Sequence, residues 1–85
     1  MIEKHMPQVN FYTRDQCHLC EDAKLMLKLV KEDIPFELNE IAIDKSDELT
    51  ERFGLMIPVV EVGGEIVQYG QIDYFTLSKR LQEKS

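Results

Sequence analysis

Phe11-Tyr12-Thr13-Arg14-Asp15-Gln16-Cys17-His18-Leu19-Cys20 decides the fold: a β-rich segment, a short polar loop, then a cysteine pair opening a helical pattern. Gln8 to Thr13 alternates and is rich in β-formers, which predicts a strand. From Cys17 to about Glu32, apolar residues recur at Leu19, Ala23, Met26, Leu27 and Val30, which is helical spacing. Glu21 and Asp22 sit in the first turn and Lys28 and Lys31 late, matching the helix dipole.

Downstream, Asp33-Ile34-Pro35 breaks the helix. Phe36 to Ile43 alternates as Phe36, Leu38, Ile41 and Ile43, and the slip near Asn39-Glu40 predicts a bulge. Ser46-Asp47-Glu48-Leu49 is a capping signal for a short helix ending near Gly54. Ile57 to Val62 reads as a strand, Gly63-Gly64 as a hairpin turn and Glu65 to Gln68 as the partner strand. Ile72, Phe75, Ser78, Leu81 and Gln82 outline a terminal amphipathic helix. The order β-α-β-α-β-β-α predicts an α/β domain, a four-stranded mixed sheet with helices on both faces.

The 85 residues fit a single domain spanning 1–85, with 1–6 expected as a loose N-terminus. No apolar run approaches the roughly 20 residues that cross a bilayer, and residues 1–6 lack a signal-peptide core, so the expectation is a cytoplasmic protein without membrane attachment. A net charge of −6 with scattered basic residues argues against nucleic acid. It suits partners with basic docking surfaces.

The two cysteines are three positions apart, so a bridge between them closes almost no loop and would restrict the unfolded chain little. Chemistry explains the pair better than stapling. A closed zinc site wants four ligands, and the spare candidates are His5 in the terminus and His18 between the cysteines, so no metal is expected. The redox reading has a mechanism. Cys17 at the first helical position faces backbone N–H groups without intrahelical partners and the positive end of the dipole, and both favour thiolate. Cys20, one turn in, is expected to stay protonated until it resolves a mixed disulfide formed on Cys17. Asp15, Glu21 and Asp22 oppose the thiolate while Arg14 and a protonated His18 support it. The plain alternative is a pair of buried structural thiols.

These residues resemble the glutaredoxin-like branch of the thioredoxin superfamily, small bacterial glutaredoxin-like proteins in particular. The likeness runs from Val9 to Leu81. It rests on Phe11-Tyr12-Thr13-Arg14, Cys17-His18-Leu19-Cys20-Glu21, Ile57-Pro58-Val59 and the glycine after the last strand, Gly70. It implies a thioredoxin-like fold and a monomeric thiol–disulfide oxidoreductase or electron carrier, with Cys17 attacking and Cys20 resolving. Its substrates would be disulfide-containing proteins or small molecules, and its reductant glutathione or a thioredoxin-reductase-like flavoenzyme. No tightly bound cofactor is implied, and glutathione would enter as a co-substrate.

The resemblance also implies that Pro58 is cis and faces the redox pair, offering the N–H and C=O of Ile57 to an extended substrate. Arg14 stands where a basic residue meets a glutathione carboxylate; its alternative is a solvated loop charge. Gly70 and Asp73 fall where glutathione-binding relatives carry paired glycines and an acidic residue. Their alternatives are a helix-start turn and a first-turn charge. Tyr69 replaces the first of those glycines, and Met56 stands where threonine is frequent. His18 is not beside the second cysteine, so an oxidant's character is not implied. Tyr12, Met26 and Phe53 read as packing residues. Rival classes are a dimeric iron–sulfur carrier using Cys17 and glutathione, and a redox-silent binding module.

Overall fold

The computed structural model describes residues 7–83, so the expectation for residues 1–6 lies outside the described residues. Strand β1 (Gln8–Thr13) leads to helix α1 (His18–Asp33) and strand β2 (Glu37–Ala42). A short 3₁₀ turn (Ile43–Lys45) and helix α2 (Asp47–Phe53) follow, then the hairpin of β3 (Val59–Val62) and β4 (Glu65–Tyr69), and helix α3 (Tyr74–Glu83). The sheet order is β2-β1-β3-β4. β1 runs parallel to β2, and β1–β3 and β3–β4 are antiparallel. A parallel neighbour demands a crossover connection, and α1 supplies it.

Alternation along β1 sends its side chains to two cores. Val9 and Phe11 pack with Ala23, Leu27 and Val30 of α1 and Leu77 and Leu81 of α3, all essentially sealed from solvent. Tyr12 points to the other face, where it meets Ile43, Phe53 and Val59 under α2. Each fully buried aliphatic or aromatic side chain there contributes about 1.5–3 kcal/mol. The mixed, two-faced α/β sheet expected from the sequence is what the chain forms.

Three local readings need correction. β1 and β2 pair in unbroken register from Gln8↔Glu37 to Thr13↔Ala42, so there is no bulge at Asn39-Glu40. The alternation looks broken because both faces of β2 are partly covered: Leu38 packs on the α1 side and Ile41 on the α2 side. The sheet's irregularity lies in the hairpin instead, where Val60↔Gln68 is followed by Glu61↔Ile66, leaving Val67 as the extra residue. Residues 57 and 58 precede β3, and residues 72 and 73 precede α3. The hairpin turn itself is as read: Gly63 and Gly64 both adopt positive φ, 59° and 85°, as a tight turn of this hand requires. Ser46 caps α2 as expected, its Oγ accepting from the Leu49 N–H at 3.2 Å.

On the α2 side the Tyr12 ring stacks on Phe53 with centroids 4.4 Å apart. Its hydroxyl donates to Glu61 Oε1 at 3.2 Å, and Asn10 Nδ2 donates to the same oxygen at 2.8 Å. Burial, followed by the charge and hydrogen bond of Glu61, pushes the Tyr12 hydroxyl above the ordinary value of 10.0, against a smaller opposing pull from Arg52. The folded state therefore holds this proton more tightly than the unfolded chain does. Its contribution is complete below the unfolded value of about 10 and is lost as pH rises through the higher folded value. Urea midpoints of the wild type are thus expected to fall more steeply with pH in that alkaline range than those of Tyr12→Phe. At neutral pH the variant should lose about 1 kcal/mol with the hydrogen bond.

Candidate active site

The polar loop Arg14-Asp15-Gln16 turns the chain from β1 into α1. Gln16 makes the turn in the left-handed region at φ 58°, a conformation uncommon outside glycine and asparagine. Cys17 emerges extended, with φ −122° and ψ 108°, and forms the N-cap of α1 rather than its first helical residue. The correction matters chemically. An N-cap side chain is the one that reaches back to unpaired amides, and Cys17 Sγ accepts the Cys20 N–H at 3.2 Å. The Cys17 carbonyl takes the first helical bond, from the Glu21 N–H at 3.1 Å.

The two cysteines are joined as a disulfide with Cα atoms 5.1 Å apart. Cys17 is half-buried, whereas Cys20 is only 3% exposed and belongs to the α1-side core. The outer sulfur is reachable and the inner one is covered. On reduction, the amide aimed at Cys17 Sγ would face a thiolate. A hydrogen bond to a charged group is worth about 1.5–3 kcal/mol. The helix N-terminus adds about 0.3–1 kcal/mol. Both act on the sulfur of Cys17.

A cleft of about 420 Å³ opens beside the disulfide, with both cysteines, Arg14, Asp15, Glu21 and the Lys24–Glu40 pair on its walls. Arg14 thus lies at the site. Lys24 Nζ stands 3.3 Å from Glu40 Oε1, with both side chains more than two-fifths exposed. The sequence reading missed this pair. Its only signal is that Lys24 follows Cys20 by one helical turn, while Glu40 needs the β2 register to place it on the same side.

The Ile57–Pro58 peptide is cis. Ile57 is half-buried against both cores. Its N–H is not turned to an incoming chain, however: it donates to the Phe53 carbonyl at 3.1 Å, closing the end of α2. This corrects the expectation that both polar groups of Ile57 are offered to substrate. Gly70, at φ 79°, donates its N–H to the carbonyls of Met56 (3.0 Å) and Pro58 (2.8 Å) and so clamps the residues on either side of Ile57. A side chain at Gly70 would meet open space, so the glycine is required by its φ and not by crowding.

Asp73 caps α3. Its Oδ2 accepts from Thr76 N–H at 2.9 Å and from Thr76 Oγ1 at 2.8 Å, which holds the carboxyl below its ordinary range. The Asp73 N–H in turn reaches Gln68 Oε1 at 2.9 Å. Two hydrogen bonds already occupy that oxygen, consistent with a helix-start role.

A second, smaller hollow of about 210 Å³ lies along α1, between Leu19, Ala23 and Met26 on one wall and Gln71 and Ile72 on the other, with Asp22 at its margin. Met26, read as core, is half-buried here, and Leu19 is 49% exposed. Phe53 is core as expected, at 1% exposure.

The sequence matches the glutaredoxin-like domain family (DUF836) over residues 8–82, nearly the whole chain. The chain belongs to that family. A structural-genomics target protein from X. campestris is 25% identical and superposes with TM-score 0.76, covering 88% of this chain and 96% of its own. Protein Ne2328 from Nitrosomonas europaea is 23% identical with TM-score 0.79, covering 94% and 96%. A mutant thioredoxin from Halobacterium salinarum shares the fold at 18% identity and TM-score 0.70, covering 91% of this chain and 73% of its own. This glutaredoxin-like chain therefore has the thioredoxin fold, and its close cysteine pair marks a redox role. Among the described residues no helix is long and apolar enough to cross a membrane.

Proposed function

We propose that this glutaredoxin-like domain is a dithiol–disulfide oxidoreductase in which Cys17 is the nucleophile and Cys20 the resolving thiol. The observation that carries the reading is the Cys20 N–H held 3.2 Å from Cys17 Sγ at the half-buried tip of α1, with Cys20 sealed behind it.

In the reduced protein, Cys17 thiolate attacks one sulfur of a substrate disulfide. A mixed disulfide forms and the other substrate sulfur leaves as thiolate, taking up a proton from water. Cys20 then loses its proton and attacks Cys17 Sγ. The Cys17–Cys20 bond forms, the mixed disulfide breaks, and the second substrate thiol leaves. Two electrons have passed to the substrate. Glutathione or a thioredoxin-reductase-like flavoenzyme would return them. Arg14 supplies a positive charge near the reacting sulfurs. The clamped Ile57–Pro58 segment would offer the Ile57 carbonyl to an extended chain. Gly70 supports that segment and Asp73 the start of α3, and they require no glutathione to account for them.

The direct test is reduction of insulin by dithiothreitol. Catalytic amounts of the protein should accelerate precipitation of the freed insulin chains several-fold over dithiothreitol alone. A rate equal to that of dithiothreitol alone, from protein shown to carry a reducible Cys17–Cys20 bond, would contradict the proposal.

A further inference from the structure

Helix α1 leaves apolar surface in solvent, beginning between the two cysteines and continuing along the helix. Leu19, Leu25 and Leu29 are 49%, 57% and 47% exposed, and Leu19 lies between the two cysteines themselves. The 210 Å³ hollow begins at Leu19 and continues over Ala23 and Met26 to Ile72. A globular chain keeps such a stripe in water at a cost of roughly 25 cal/mol for each Å² left uncovered. Large exposed apolar surface rimmed by polar groups marks sites of interaction.

The charges around it are predominantly acidic. Asp22 lines the hollow, and Asp15 and Glu21 line the cleft that holds the disulfide. Among the described residues none of the three has an ion-pair partner, whereas Lys24 is held by Glu40 and Arg80 by Glu65. Arg14 is the one cation of the cleft not so held, and the chain as a whole carries −6. An occupant that complements this surface brings an apolar side chain and positive charge.

We infer that the substrate is a polypeptide disulfide flanked by a large apolar side chain and a basic residue, the apolar group entering the hollow between Leu19, Met26 and Ile72 and the basic group meeting Asp22. This rests on the dithiol mechanism proposed above and specifies which disulfides it takes. The electrons are those of the reduced Cys17–Cys20 pair. One substrate S–S bond breaks and the Cys17–Cys20 bond forms.

The experiment is a single turnover of protein first reduced with dithiothreitol and then freed of it. The substrates are three peptide disulfides alike except at the flank (leucine with lysine, serine with lysine, leucine with glutamate), with hydroxyethyl disulfide as a small neutral reference. The leucine–lysine peptide should react about tenfold faster than the serine–lysine one, the discrimination that one apolar pocket supplies. It should exceed the leucine–glutamate peptide about threefold at low salt, and that second ratio should vanish at high salt. Leu19→Ser should bring the leucine-to-serine ratio close to one, and Asp22→Asn should do the same for the lysine-to-glutamate ratio. Equal rates on all three peptides alongside turnover of hydroxyethyl disulfide would overturn the inference and leave the dithiol mechanism standing. So would ratios that survive both substitutions. Failure on hydroxyethyl disulfide and every peptide alike would overturn the mechanism and the inference with it.

Discussion

Cys17→Ser should abolish disulfide reduction, whereas Cys20→Ser should stop the protein part-way with the substrate attached. The asymmetry follows from position. Cys17 caps α1, accepts the Cys20 N–H and reaches solvent, while Cys20 is 3% exposed in the α1-side core. Serine at 17 removes the more exposed of the two cysteine sulfurs, so turnover should fall to background, a loss of about 10³-fold or more. Serine at 20 leaves the attack intact but nothing to release the product. A covalent adduct with insulin chains or a peptide thiol should then accumulate on Cys17, visible as a mass increase reversed by dithiothreitol. If Cys17→Ser forms the adduct instead, the order of attack is the reverse of the one proposed.

The largest stability effect is expected at Phe53. Its ring is buried at 1% exposure and stacks on Tyr12 in the smaller core, which also holds Ile43 and Val59. That core has few residues to collapse into a void, so Phe53→Ala should cost about 3–5 kcal/mol. A domain of this size has roughly 5–15 kcal/mol in all. At roughly 4–8 °C per kcal/mol, Tm should drop by well over 10 °C. The effect should also reach the site. Phe53 ends α2, and its carbonyl holds the N–H groups of Met56 (2.8 Å) and Ile57 (3.1 Å) on the approach to Pro58. Reduction of peptide disulfides should therefore fall more than reduction of hydroxyethyl disulfide, measured well below the variant's Tm. A loss under about 1 kcal/mol would mean that the second core is not structural.

Much of this was legible in the chain because local and global signals agree. The alternation of Gln8–Thr13, the helical spacing after Cys17, the Ser46 cap and the Gly63-Gly64 turn each point to the element that forms there. The cysteine pair was legible for the same reason: a strand, a polar turn and a helix start leave little choice about where Cys17 falls. What stayed hidden depends on partners distant in sequence. Glu40 becomes a site residue only through the register that sets it opposite Phe11, and Lys24 only through Glu40. The Ile57 N–H looked available until the end of α2 was seen to use it. Leu25 and Leu29 fall outside the helical spacing of Leu19, Ala23, Met26, Leu27 and Val30, and packing leaves them turned outward at 57% and 47% exposure. Gln16 at φ 58° carries no sequence signal, because nothing in glutamine asks for the left-handed region.

Alkylation of the reduced protein by iodoacetamide, with the modified site identified by mass, probes the central claim most directly. An amide aimed at Cys17 Sγ on an accessible helix tip should make that residue react first at neutral pH, with Cys20 untouched until the chain is unfolded. Its rate should already be near its plateau at pH values where an ordinary thiol, with a pKa of about 8.5, is still mostly protonated. Equal modification of both cysteines in the folded protein, or faster modification of Cys20, would contradict the account.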